Sequence, residues 1–328
     1  MNKDISIIVP VYNGTKTIRR LLASLISNSE YIHEIIIVDD YSDDNIEDFV
    51  YYFDNVKIVK SMGYRNPGLA RKTGMLYATG KWITFIDADD CLTPSSLRYV
   101  HKNLDNSPLL LCCKTIYYES GNFTSSSIDY ADLSCGGNFY DREFLIKNDI
   151  YPDDELTLVE DEYFNEKVFK YIELNNGQID HFDYPVYEVH HDIEDGLSYA
   201  LSNWVDYLCK YRLLYKQKIV DEFYGVYDTN TLQVEYIDNL IFCFYLAEGM
   251  LFDEEINFKF SENKKYFTDA INFYTDKFKE GYKSIIDYYN TYNDWAKELK
   301  QSASETVGYE FDDALSFEKF ISSCIINI

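Results

Sequence analysis

Lys81-Trp82-Ile83-Thr84-Phe85-Ile86-Asp87-Ala88-Asp89-Asp90 decides the fold of this 328-residue chain. Trp82 to Ile86 are β-branched or aromatic, the composition of a buried strand. Three carboxylates follow where such a strand must emerge into solvent. Clustered carboxylates repel one another unless positive charge sits among them. A hard divalent cation, Mg²⁺ or Mn²⁺, held by one or two carboxylates and by phosphates, answers that need. The competing reading is an acidic strand-to-helix turn, with Asp90 or Thr93 capping a helix that starts at Pro94.

The preceding residues bear on that choice. Ile5-Ser6-Ile7-Ile8-Val9-Pro10-Val11-Tyr12-Asn13-Gly14 reads as an apolar strand ending in a Pro and Gly turn. Apolar residues at Ile18, Leu21, Leu22, Leu25 and Ile26 then fall at helical spacing within 15–27, with Asn13 or Thr15 as cap. Glu34-Ile35-Ile36-Ile37-Val38 is a second strand and runs into Asp39-Asp40-Tyr41-Ser42. A helix is expected over 43–52, a strand over 56–59, and a helix over 67–79 entered through Asn66-Pro67-Gly68 and ended by Gly80. Strands apolar along their whole length are buried on both faces, which predicts a mostly parallel sheet flanked by helices in an open α/β fold. Ligands bind such sheets at the carboxyl ends of the strands. Those ends carry Pro10 to Asn13, Asp39-Asp40 and Asp87 to Asp90.

With Ile8-Val9-Pro10-Val11-Tyr12-Asn13, Val38-Asp39-Asp40-Tyr41-Ser42, Pro67-Gly68-Leu69-Ala70-Arg71-Lys72-Thr73-Gly74 and Phe85-Ile86-Asp87-Ala88-Asp89-Asp90 in this order, the chain resembles the family 2 glycosyltransferases of GT-A fold. The likeness is close over about the first hundred residues and looser to about residue 200. It implies a nucleotide-diphosphate sugar donor, UDP-sugar by default because Asp40 suits uracil. By resemblance Tyr12 flanks the base, backbone groups at Pro10, Val11 and Asn13 meet the nucleoside, and Asp40 accepts from the base with Asp39 as neighbour. The competing role for Asp39 and Asp40 is helix capping. Arg71 would approach the phosphates and the acidic motif, where its planar, always-charged guanidinium can bind two oxygens at once. The family often has Asn where Lys72 stands, and Lys72 reads as a solvated helix residue. Asp87, Ala88 and Asp89 make the family's Asp-x-Asp motif: by resemblance Asp87 lies near the ribose or the metal's water shell and Asp89 binds Mn²⁺ or Mg²⁺, with either duty left open to Asp90. The metal bridges the diphosphate and offsets charge on the departing nucleotide.

The general base is expected further along. Glu160-Asp161 precedes a helix with Phe164, Val168 and Phe169 on one face, and family members place a Glu-Asp pair beneath the acceptor. Asp161 would take the proton of the attacking hydroxyl, with Glu160 as runner-up; the competing explanation is N-terminal helix acidity. Tyr184-Pro185-Val186-Tyr187-Glu188-Val189-His190-His191, ahead of Gly196-Leu197-Ser198, offers His190 or His191 to the metal or diphosphate. Adjacent strand residues point to opposite faces, so at most one serves.

Composition sets outer bounds. The formal charge is −26; residues 1–100 hold 11 Lys and Arg against 13 Asp and Glu, and the remainder holds 19 against 43. So acidic a body repels nucleic acid and anionic lipid. Seven cysteines without metal-binding spacing read as free thiols of a reducing cytoplasm. Met1-Asn2-Lys3-Asp4 runs straight into the first strand, so no leader is expected, and the longest apolar stretch, 240–246, is far short of the ~20 residues that span a bilayer. A cytoplasmic enzyme is expected, with peripheral attachment to the inner face of the cell membrane or to a protein partner left open. Residues 1–197 are expected to form the catalytic domain and 198–328 a helical, Tyr-rich, acidic region whose aromatics mostly pack a core. The expected activity is hexosyl or N-acetylhexosaminyl transfer, inverting, to a glycan or lipid-linked acceptor in surface polysaccharide synthesis. The rivals are a nucleotidyltransferase, which would want a Gly-rich basic loop after the first strand, and a non-catalytic GT-A scaffold or glycan-binding subunit.

Overall fold

The apolar runs become the centre of one mixed, nine-stranded sheet. In the computed structural model, β1 (Ile5–Val11), β2 (Ile32–Asp39), β3 (Val56–Lys60) and β4 (Trp82–Phe85) pair in parallel in the order β3-β2-β1-β4. The sheet continues through β8 (Phe139–Asp141), β6 (Leu110–Glu119), β9 (Ile179–His191) and β5 (Cys91–Leu92), with β7 (Asn122–Ser127) on β6. β6 and β9 are parallel, whereas β4–β8, β6–β8, β6–β7 and β5–β9 are antiparallel. The described residues are 3–47, 54–119, 121–127, 134–191, 201–250, 254–292, 297–298, 301 and 317–325.

Strand alternation builds two cores. Ile5, Ile7, Val9, Trp82 and Ile86 face α1 (Ile18–Ile26) and α3 (Leu97–Leu104) through Leu21, Leu25, Leu97 and Val100. Ile8, Ile36, Val38, Ile83 and Phe85 face the opposite way, onto α2 (Pro67–Tyr77), α4 (Arg142–Lys147) and α5 (Glu160–Leu174) through Ala70, Met75, Leu145, Phe164 and Val168. Burial on both faces is why these strands carry no polar alternation. α2 lies close on β1 because a side chain at Gly74 would drive a Cβ to 2.2 Å from Ile8 Cγ2.

Two boundaries differ from the sequence expectation. Residues 43–44 are bends, 45–46 are irregular, and helical structure begins only with a 3₁₀ turn at Glu47. Asp44 and Asn13 side chains accept from the Thr15 and Asp43 N–H groups at 2.9 and 2.8 Å, so this loop is tied to the β1–α1 loop instead. Residues 48–52 of that expected helix lie outside the described residues. α3 begins at Leu97, not Pro94, because Ser95 sits at φ +58°, in the left-handed region that interrupts a right-handed helix.

The chain divides into two compact units, Met1–Ile193 and Glu194–Ile328. The second is helical: α6 (Leu201–Phe223), α7 (Thr229–Met250), α8 (Glu254–Phe278), α9 (Lys283–Thr291) and α10 (Phe317–Ile325). Its aromatics mostly fill its interior; Tyr236, Tyr274, Phe244, Phe267 and Phe317 are each buried, and Phe267 meets Phe320 edge-on at 4.8 Å. The Tyr236 hydroxyl donates to the Ala270 carbonyl at 2.9 Å, which satisfies its one polar atom. Among the described residues no helix is long and apolar enough to cross a membrane.

Candidate active site

β4 ends at Phe85, and the acidic turn that follows is fixed by a tyrosine from another strand. The Asp90 N–H donates to the Asp87 carbonyl at 3.0 Å. Tyr187 of β9 accepts from the Asp87 N–H at 3.2 Å and donates its own hydroxyl proton to Asp90 Oδ2. The His190 N–H occupies Asp90 Oδ1 at 2.9 Å. Asp90 is therefore a buried strut of the turn and caps no helix. Burial, then the charges of Asp87 and Asp89, push its carboxyl well above the usual range. Gly136 and Gly137 leave room for the Tyr187 ring, and Gly137 sits at φ +73°. Asp87 and Asp89 remain partly exposed.

Arg71 joins this turn to the second acidic pair. Asn66 caps α2 by accepting from the Leu69 N–H at 2.9 Å, and Pro67 opens the helix, so Arg71 falls in its second turn. Its guanidinium donates to Asp87 Oδ1 at 2.8 Å and to Glu160 Oε1 at 2.5 Å, and both Arg71 and Glu160 side chains are only 8% exposed. Val159, just before α5, holds φ +58° and ψ +18°, a costly conformation for a β-branched residue. Gly68 admits the incoming loop: a Cβ there would stand 2.4 Å from the Asp153 carbonyl oxygen. Burial raises Glu160 to about 7, with Arg71 opposing and Asp161 reinforcing the rise. Asp161 is raised as well, by burial first, with Arg71 opposing and Asp87 adding to it. Asp87, Glu160 and Asp161 thus gather around the Arg71 guanidinium, with Asp89 and Asp90 on the same turn as Asp87 and the Arg20 guanidinium on the Asp89 carbonyl. That excess suits a divalent cation, and Asp87 and Asp89 offer the hard oxygen donors it prefers.

A third cluster lies at the ends of β1 and β2. Asp40 is 4% exposed; burial lifts its carboxyl, while the Arg65 and Asn66 N–H groups and the Ser61 hydroxyl pull it back. Its Oδ1 is sealed from solvent and has no partner among the described residues. Asp39 is taken up structurally, accepting from the Ser42 N–H at 2.8 Å and from the Lys60 ammonium. Burial alone would raise Asp39, and Lys60 and Ser42 override it to hold it low. Tyr12, Tyr41 and Tyr64 stand 41%, 42% and 62% exposed around this place. The Arg65 guanidinium lies over the Tyr12 ring at 4.6 Å and over Tyr64 at 5.0 Å, and Tyr64 meets Tyr41 edge-on at 5.4 Å. Val11 has its side chain in the core and its carbonyl on the Asp40 N–H at 2.8 Å, and Asn13 accepts from Asp43. Pro10 and Ala88 are partly buried beside these groups in sequence.

His190 is tied to the acidic turn through its backbone N–H. Its ring stacks on Tyr118 with centroids 4.9 Å apart and planes 8° apart, and its Nε2 lies 3.6 Å from Glu188 Oε2. Among the described residues, Cys91, Glu188 and His190 are the one trio whose donor atoms converge within 4.8 Å. The side chain of His191 and all of Gly196-Leu197-Ser198 lie outside the described residues. Lys72 packs over the Tyr151 ring at 5.8 Å, away from the acidic cluster in its contacts.

Residues 6–154 match the sequence model of glycosyl transferase family 2. That stretch of the N-terminal unit carries the sequence pattern of the family. A glycosyltransferase of undetermined role, YibD of Escherichia coli (strain K12), is 39% identical over 94 residues, 28% of this chain and 27% of its own length. The succinoglycan biosynthesis protein ExoO of Rhizobium meliloti (strain 1021) is 32% identical over 104 residues, 31% of this chain and 30% of its own. The chain thus spans less than a third of these two relatives. A beta-1,3-glucosyltransferase of Escherichia coli, WfgD, named for UDP-Glc and alpha-D-GlcNAc-diphosphoundecaprenol, is 33% identical over 88 residues, 26% of this chain and 35% of its own. The crystal structure of S. aureus TarS 1-349 in complex with UDP superposes with a TM-score of 0.62 and 20% identity, over 93% of this chain and 90% of that one. The fold is that of the GT-A glycosyltransferases.

The N-terminal unit places the expected residues in two groups. Arg71, Asp87, Glu160 and Asp161 form one connected network beside Asp89; Tyr12, Asn13, Asp39 and Asp40 form the other. Sequence reasoning missed Tyr187, Tyr41, Tyr64, Arg65 and Lys60. Tyr41 and Arg65 adopt φ of +63° and +50°, and nothing in their residue types signals that.

Proposed function

We propose that the N-terminal unit transfers a sugar, with inversion, from a nucleotide-diphosphate sugar to an acceptor hydroxyl. The observation that carries this reading is Arg71 bridging Asp87 to Glu160, which couples the donor-side acids to the base pair on α5. Asp40 lies at the ends of β1 and β2 with its N–H on the Val11 carbonyl, one residue before Tyr12, the place where a uracil ring would be read. UDP in TarS and UDP-Glc in WfgD support the same donor class. The succinoglycan role of ExoO and the diphosphoundecaprenol acceptor of WfgD support a glycan or lipid-linked acceptor.

Asp161 accepts the proton as the acceptor oxygen attacks the anomeric carbon; the bond from that carbon to the β-phosphate oxygen breaks, and the nucleoside diphosphate leaves. A single base opposite the leaving group gives inversion. Arg71 holds Glu160 and Asp87 in place. A divalent cation, held by Asp89 with Asp87, supplies Lewis-acid neutralisation of the diphosphate when bound.

Two outcomes are expected. Tyr12→Ala weakens UDP binding by about 5–150-fold, the range for losing one base–aromatic stack; unchanged affinity in calorimetry would remove Tyr12 from the base site. The rate of donor hydrolysis starts to fall with decreasing pH while still above the ordinary carboxylate range, because burial raises both Asp161 and Glu160. A base limb near pH 4 in the pH–rate profile would contradict that. The assignment itself is tested by incubating the full chain with Mn²⁺ and a panel of nucleotide sugars. Release of nucleoside diphosphate from one donor supports it; no release and no binding of any donor refutes it.

A further inference from the structure

We propose that Cys91, Glu188 and His190 form a binding site for a thiophilic divalent cation, Zn²⁺ in chemical class, separate from the hard-cation acids of the turn. This inference does not rest on the transferase reading. The strand register brings the three together: Cys91 of β5 pairs opposite Glu188 of β9, and His190 follows two residues on, so it shares the face of Glu188. All three donor atoms lie within 4.8 Å of one another. The His190 Nε2 to Glu188 Oε2 distance of 3.6 Å already matches the edge of a tetrahedron with Zn–N and Zn–O bonds of about 2.0–2.2 Å.

The surroundings orient the ligands. Tyr118 stacks flat on the imidazole, and Asp90 anchors the His190 backbone through its N–H. Such supporting contacts fix a histidine ligand's orientation. Cys91 is 4% exposed, while the His190 and Glu188 side chains are 12% and 18% exposed, so the site is shielded yet open on its imidazole and carboxylate side. A thiolate, a carboxylate and a neutral imidazole balance a 2+ charge, and the thiol proton passes to solvent as the metal–sulfur bond forms. Softness separates the two sites: sulfur and imidazole select Zn²⁺, whereas Asp87 and Asp89 offer only oxygen. An ion here joins β5 to β9 one residue past Asp90, and its occupancy stiffens the acidic turn.

The test uses the full chain stripped with chelator and titrated with Cd²⁺, reading the ultraviolet charge-transfer band of a cadmium thiolate. One saturable equivalent is expected, not displaced by excess Mg²⁺, together with a Zn²⁺-dependent rise in Tm. Cys113, partly exposed where the other five remaining thiols are buried, is the control. Cys113→Ser keeps the band, and Cys91→Ser loses it with the circular dichroism unchanged. Glu188→Gln and His190→Ala each weaken Cd²⁺ by at least the ~10–100-fold that loss of a mere orienting partner costs. Should Cys91→Ser fail to fold, those two variants carry the same decision. A band that survives in Cys91→Ser, affinity unchanged in both other variants, or no saturable equivalent in the wild type overturns the site.

Discussion

Asp161→Asn is expected to lower the turnover of the donor by about 10²–10⁴-fold, the contribution of a positioned general base. Asparagine has nearly the same shape and still offers an oxygen to the Glu162 N–H, which Asp161 accepts at 2.9 Å. It leaves the ion pair between Arg71 and Glu160 in place. What it removes is a basic oxygen able to take a proton. Donor affinity should stay within about twofold, because a group acting only in the transition state contributes to kcat and not to ground-state binding. Hydrolysis of the donor by water provides the readout without a known acceptor. Unchanged turnover would move the base to Glu160; affinity lost in proportion to turnover would make Asp161 a binding residue.

Arg71→Ala is expected to abolish turnover and to destabilise the N-terminal unit by about 3–5 kcal/mol, the range for breaking a buried ion pair by removing one partner. Asp87 and Glu160 lose the cation that each touches, and Glu160 is sealed from water. At about 2–4 °C per kcal/mol for a unit of this size, Tm falls on the order of 10 °C. The pH dependence has a definite sign. Glu160 already titrates near 7 in the fold against 4.5 for its ordinary value, and loss of Arg71 raises it further. A carboxyl raised in the fold opposes folding as pH climbs above its unfolded value. The penalty should therefore grow as pH climbs above about 7 and shrink below it, where Glu160 is protonated in both the wild-type and the variant fold. Arg71→Lys should recover little, because one ammonium cannot bridge two carboxylates as the planar fork does. A penalty independent of pH would mean that lost packing, not lost charge, sets the cost.

The sheet was legible because its strands are buried twice over. Ile83 and Phe85 face one core and Trp82 and Ile86 the other, so the run had to be apolar throughout. The acids at the strand ends were legible for the converse reason, since nothing in a core explains them. The division of labour among them was not. Asp90 and Asp39 look like their neighbours in sequence, yet Tyr187 from a strand about a hundred residues on consumes one and Lys60 the other. The place of His190 depends on the pairing of β5 with β9, and a two-residue strand leaves no periodicity to read. Tyr64 and Arg65 reach Tyr41 and Tyr12 through a loop with a positive φ, which residue type does not encode for arginine. The helices of the second unit showed their spacing, but helical spacing says nothing of what a helical unit binds.

The most direct test of the central claim is a calorimetric titration of the full chain with UDP, in Mn²⁺ and in chelator, beside Asp89→Ala. Tight, one-to-one binding in Mn²⁺ that weakens in chelator and is insensitive to metal in Asp89→Ala is the predicted result. UDP binding that is absent, or equally strong with and without metal in both proteins, would contradict a nucleotide-sugar site built on this acidic turn.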